Sequence, residues 1–322
     1  MSVHRINSTG FEFSRQQGVK AGHSPAAGND FLATLKERLA DFKSQTVGML
    51  MSSVSGGGAS GIGGLFGNGT GPAASLEALL GTAGPLAGLS PTGRNNTLFD
   101  PESGYRMMSE INRRDVTYRA EFAEMTDMAA YVQSVQQEAA KLGSIDGATA
   151  GAEIRSRLND FVAAYNGWID RFDEVLAEGG LLAGTHAATV SQWELEKSVE
   201  SLFNGAGSGV RGMGALGLTI DPVSNMASLD PAKLDAVLAA NPRGAVTAIR
   251  EFSGNFAKSA ELLNSAGNFI PNRMANLERV IDYLNDNKSA LQAEFGLGDA
   301  AKPSGDVARA LAAYNAMRGS TS

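Results

Sequence analysis

The chain has 322 residues, a formal net charge of -7 and no cysteine. That length suits one large domain or two small ones. The acidic balance argues against binding a phosphate backbone, and the lack of thiols excludes disulfides, thiolate metal sites and cysteine nucleophiles.

The first residues, from Met1 through Gly10, contain no apolar h-region, so no cleaved secretory signal is expected. No run of about 18 apolar residues occurs, so no membrane-spanning helix is expected. Residues 1–29 are polar and read as a disordered N-terminus. Asp30 then suits the N-cap of an amphipathic helix over residues 30–55. Phe31, Leu35, Leu39, Phe42, Thr46 and Leu50 recur at steps of three and four, and Lys36, Glu37, Arg38, Asp41 and Lys43 are expected to cover the other face. Such a stripe needs a partner surface.

Residues 56–101 read as a Gly/Pro-rich linker. Its first part, from Gly56 to Gly71, is mostly glycine, and Pro72, Pro85 and Pro91 follow. From Glu102 to Leu142 the apolar positions Met108, Ile111, Tyr118, Phe122, Met125, Ala129, Val132, Ala139 and Leu142 lie close to a heptad stripe, with the phase spoiled at Asp115. A helix of that length implies packing in a bundle or coiled coil. A second helix is expected from Ala152 to Ala177, ended by Gly179 and Gly180, and a third from Thr185 or Thr189 to Phe203.

The short apolar runs around 216–229, separated by Asp221, Pro222, Ser224 and Asn225, predict a small β-hairpin. Asp230 followed by Pro231 predicts a helix start, and Asn241 followed by Pro242 predicts the next boundary. The last long helix carries Met274, Leu277, Ile281, Leu284, Leu291 and Phe295 at alternating steps of three and four, with Lys288 as a polar break. These six residues are the candidate seam for helix packing. It is either an intramolecular core or a contact between subunits, since both bury the same stripe. Residues 296–322 form a tail that opens on glycines and holds a short helix over 306–318. The expected fold is mainly α: an elongated helical bundle or coiled coil over 102–295, with a small hairpin and a long Gly-rich linker.

Motifs for chemistry are sparse. His4, His23 and His186 lie far apart in sequence and none has a carboxylate at ligand spacing, so neither a metal site nor histidine catalysis is expected. Two Gly-x-Gly-x-x-Gly matches, starting at Gly56 and Gly207, follow no predicted strand and are read as chance in a chain with 39 glycines. Asp170, Asp173 and Glu174 beside Arg171 read as a solvated helix face. Asn68 and Asn95 head short Asn-x-Thr matches. No enzyme activity and no cofactor are expected.

The order of several short segments is more telling. Residues 158–166 read Leu-Asn-Asp-Phe-Val-Ala-Ala-Tyr-Asn, 179–184 Gly-Gly-Leu-Leu-Ala-Gly and 216–221 Leu-Gly-Leu-Thr-Ile-Asp. Residues 228–242 read Ser-Leu-Asp-Pro-Ala-Lys-Leu-Asp-Ala-Val-Leu-Ala-Ala-Asn-Pro, and a helix with a regular apolar stripe follows. This series resembles the C-terminal domain of flagellar hook-associated protein two, the filament-cap family, over roughly residues 150–295. The resemblance implies a helical leg domain with a small β element that assembles as a homo-oligomer at the filament tip. It implies contact with flagellin and other hook-associated proteins, and export through the flagellar apparatus without a cleaved signal. It also implies an extracellular location. The chain departs from the family in three ways. Residues 1–55 lack its usual N-terminal motif, the large β-rich head domains are missing, and the C-terminal coiled coil is shortened. These departures suggest a reduced, cap-like relative. A cytoplasmic helical adaptor for flagellar or export components is the alternative expectation.

Overall fold

The computed structural model describes residues 88–319. The expected disordered segment 1–29, the helix over 30–55 and the first part of the linker lie outside the described residues, as do residues 320–322. The described residues are mostly helical with one two-stranded antiparallel sheet.

Helix α1, Pro101–Leu142, begins where Asp100 accepts a hydrogen bond from the Ser103 amide and proline occupies the first turn. This arrangement satisfies an orphan N–H and presets φ. Its buried residues, among them Met108, Ile111, Met125, Met128, Val132, Val135 and Leu142, run the whole length of the helix. Neighbours surround it: α2 (Gly151–Leu176), α6 (Pro242–Asn264), α7 (Phe269–Asp286), α8 (Lys288–Phe295) and α9 (Gly305–Gly319) all pack on α1. It is therefore the spine of the core.

The remaining elements pack on α2, α6 and α7. Helix α3 (His186–Glu200) packs on α6 and α7, and the short α4 (Gly212–Ala215) leads into strand β1 (Leu218–Ile220). Strand β2 (Ala227–Leu229) pairs antiparallel with β1, Leu218 opposite Leu229 and Ile220 opposite Ala227. Asp221 closes the turn by accepting hydrogen bonds from the amides of Val223 at 2.9 Å and Ser224 at 2.8 Å. Asn225 takes a positive φ of 56°, a conformation that asparagine tolerates. Helix α5 (Pro231–Ala240) starts at Asp230, whose carboxylate caps the Ala232 and Lys233 amides. Helix α6 starts at Asn241, whose side chain caps Gly244.

Two expectations need correction. The six-residue seam does not lie on one helix. Asn287 interrupts it, donating from its side chain to the Tyr283 carbonyl at 2.8 Å, and α8 begins afresh at Lys288. The run Asn285-Asp286-Asn287 favours local side-chain-to-backbone bonds over continued helix. Residues 88–100, expected as the end of the linker, are packed. Leu297 donates its amide to Gly93 at 2.7 Å, and Asn95 donates to the carbonyls of Ala293 at 2.8 Å and Glu294 at 3.1 Å. Glycine is required at 296, where φ is +93° and a Cβ would lie 2.5 Å from the Gly93 oxygen.

Candidate functional site

The candidate seam residues sit inside the chain. Leu277, Ile281, Leu284, Leu291 and Phe295 are buried in the common core, and Met274 packs against it half-buried. Helices α7 and α8 both face α1, so the stripe continues across the break at Asn287 although the helix does not.

Helix α2 supplies the aromatic centre. Phe161 is fully buried and meets Phe252 and Phe256 of α6 edge-on, with ring centroids 5.2 and 5.0 Å away. Edge-to-face geometry places the positive rim of one ring on the negative face of another. One turn on, Tyr165 is also fully buried, and burial pushes its hydroxyl well above the ordinary tyrosine range. Next to it, Asn166 reaches the hairpin. Its amide nitrogen donates to the Ala227 carbonyl at 2.9 Å, and its oxygen accepts from the Ala227 amide at 2.7 Å. One side chain thus adds a two-bond pairing to β2 and locks the hairpin to α2.

Buried charges tie α1 to two other helices. Arg273 of α7 donates to Glu121 at 2.6 Å, and Arg171 of α2 donates to Glu124 at 2.8 Å and lies 2.8 Å from Asp127. Burial raises the carboxyl pKa of Glu121, with the Arg273 charge opposing. Burial also raises that of Glu124, with Arg171 opposing. In the sequence Arg171 reads as part of a solvated face. It crosses to α1 instead, lying over the Phe172 ring at 4.8 Å. Only one signal hinted at this: two glutamates three residues apart inside an apolar stripe.

The loop between α3 and α4 shows the opposite arrangement, with polar groups inside and apolar groups outside. Asn204 is fully buried, accepting from the Asn255 side chain at 2.7 Å and, through its carbonyl, from the Gly212 amide at 2.8 Å. Gly205 donates its amide to Glu251 at 2.5 Å. It has φ +71°, and a Cβ there would lie 2.4 Å from the Ala248 Cβ, so only glycine fits. On this anchored base Leu202 and Phe203 project outward, 68% and 85% exposed. Trp193 on α3, Val223 on the hairpin turn and Phe99 before α1 are further large apolar side chains in solvent. Exposed aromatics on a fixed backbone are the usual anchors of protein contacts.

Among the described residues no group of three or more His, Cys, Asp and Glu could hold a metal ion. His186 is exposed and stands edge-on to Phe269 at 5.2 Å. Asn95, which heads an Asn-x-Thr match, is buried with its amide already bonded to α8. Among the described residues no helix is long and apolar enough to cross a membrane. No family model, no curated protein and no solved structure matches the chain.

Proposed function

We propose that the chain is an axial structural protein of the bacterial flagellum, a reduced relative of the filament cap that works by self-assembly and by contact with other axial subunits. In this reading it is an elongated helical bundle without catalytic chemistry. It leaves the cell by the flagellar export route and needs no cofactor.

The observation that carries the reading is the lock at Asn166. Two of the segments that resemble the cap family, residues 158–166 and 216–242, are far apart in sequence yet meet through the paired hydrogen bonds between Asn166 and Ala227. Their helix starts at Asp230 and Asn241 are capped as their sequences require. Segments that share one substructure are more telling than short matches scattered over unrelated surfaces. The loop that fixes Leu202 and Phe203 in solvent adds a surface suited to subunit contact.

Fractionation tests the reading. Sheared flagella, culture medium and cytoplasm are immunoblotted from cells that make the protein and from the same cells lacking the flagellar export gate. Signal outside the cell that disappears with the gate is the expected result. Signal confined to the cytoplasm in both strains would overturn it and favour an internal adaptor.

A further inference from the structure

Helix α9 lies on α1 with little of itself inside. Only Ala310 and Tyr314 of its 15 residues are buried, whereas α6 buries nine of 23. Val307, Leu311 and Met317 flank them half-buried at helical spacing. Tyr314 anchors the helix. Its ring stands edge-on to Phe122 of α1, with centroids 5.9 Å apart, and the Arg119 guanidinium lies 5.5 Å from its centroid. The ion pairs of α9 add little. Arg309 bonds to Asp306 inside the same helix. Arg318 approaches Glu278 of α7 at 3.8 Å, but both side chains are half-exposed, and solvent screens such pairs.

The connector that leads from α8 into α9 has two parts. The first is pinned to α1. The Asn112 side chain donates to the carbonyls of Leu297 at 3.0 Å and Asp299 at 2.9 Å. The Tyr105 hydroxyl donates to the Asp299 carboxylate at 2.9 Å, and the Asp299 amide donates to the Ser109 hydroxyl oxygen at 2.7 Å. The second part, residues 300–304, is not pinned. Among the described residues its hydrogen bonding is confined to the Ser304 carbonyl, which accepts from the Ala308 amide at 3.4 Å. Lys302, Pro303 and Ser304 are exposed. Five extended residues reach about 17 Å, more than the diameter of a helix at about 10 Å. The connector can therefore swing α9 off its seat while the pin at Asp299 holds.

We propose that α9 is a latch on α1. It opens as a unit about residues 300–304 while the rest of the bundle stays folded, and opening bares the Phe122 ring. An element with few buried apolar contacts opens at a lower free energy than the whole fold, and a fixed pin with a free connector sets where the opening begins. Phe122 also lines a groove with Ile270 and Met274 of α7, so the open state joins the seat of α9 to that groove and presents a longer apolar surface than the closed state. This is independent of the flagellar reading.

Hydrogen exchange on the full-length chain tests the latch. Amides of residues 309–316 should exchange roughly tenfold or more faster than those of residues 125–139 in the middle of α1. Their rate should change little in urea below the unfolding transition, because opening uncovers little surface. Tyr314→Ala should speed exchange over 309–316 by a further factor of about ten and leave 125–139 within about twofold. Equal rates for the two segments in the unchanged chain, or equal acceleration of both by Tyr314→Ala, would mean that α9 unfolds only with the core. Either result overturns the proposal and leaves the flagellar reading standing.

Discussion

The hairpin region and the α1 spine are held together by opposite means. Around the hairpin, apart from the Asn166 lock on Ala227, short polar side chains bond to backbone a few residues away. Asp221 caps its own turn, Asp230 caps α5 and Asn241 caps α6. Along α1 the links made by its buried carboxylates are long-range: Glu121 to Arg273 and Glu124 to Arg171 join residues distant in sequence. The first kind satisfies local groups that water also reaches. The second removes charge from water and must recover the desolvation cost through geometry. The difference should show in mutation and in the response to pH.

The largest effect is expected where the two regions meet. Phe161→Ala removes a fully buried ring that touches two phenylalanines of α6, and should cost about 3–5 kcal/mol. Urea unfolding measures it. A loss below about 1 kcal/mol would mean that α2 and α6 are not packed as described.

The spine comes next. Arg273→Ala leaves Glu121 buried without its partner and should destabilise by about 3 kcal/mol. The double change Glu121→Gln with Arg273→Met should recover most of that loss, because no unpaired charge remains. If both variants lose equally, the pair is not buried in solution.

The pH dependence follows from the directions of the shifts. Burial raises the folded-state pKa of Glu121 and of Glu124 above the unfolded value. Between the ordinary value of about 4.3 and the raised one, the folded state holds more protons than the unfolded, so stability rises as pH falls through that window. Asp221 behaves oppositely. Hydrogen bonds from the backbone amides of Ser224 and Val223 lower its pKa, so its contribution is present above the unfolded value and is lost as pH falls through the folded one. Thermal melts from pH 7 downward should therefore rise first and fall only in stronger acid. Glu121→Gln should flatten the rise and leave the fall.

Smaller effects test the caps and the surface. Asp230→Ala removes the acceptor for two amides at the start of α5 and should cost about 1 kcal/mol. Phe203→Ser should leave stability within about 0.5 kcal/mol, since the ring is 85% exposed. It should nevertheless weaken self-association in sedimentation. A melting shift as large as that of Asp230→Ala would mean the ring packs within the chain.

What the sequence made legible follows the same division. Pro231 and Pro242 behind their capping residues, and the hairpin between Leu218 and Leu229, can be read locally because the responsible residues are neighbours in sequence. The stripe from Met274 to Phe295 was legible as a buried surface, because periodicity reports burial. Its break at Asn287 was not, since seam spacing continues through it. The partners of Arg171 and Arg273 could not be read, because a charge looks the same in sequence whether it faces solvent or crosses a core. The Leu202–Phe203 display was hidden for the converse reason: exposed and buried phenylalanines have no local mark, and only the bonds of Asn204 and Gly205 underneath reveal a fixed loop.

The proposed role is that of a subunit of the flagellar axis. Immunogold labelling of intact filaments from cells that make the protein tests it most directly. Label concentrated at the filament tip is the expected result. Filaments without label, with the protein retained in the cell body, would contradict it.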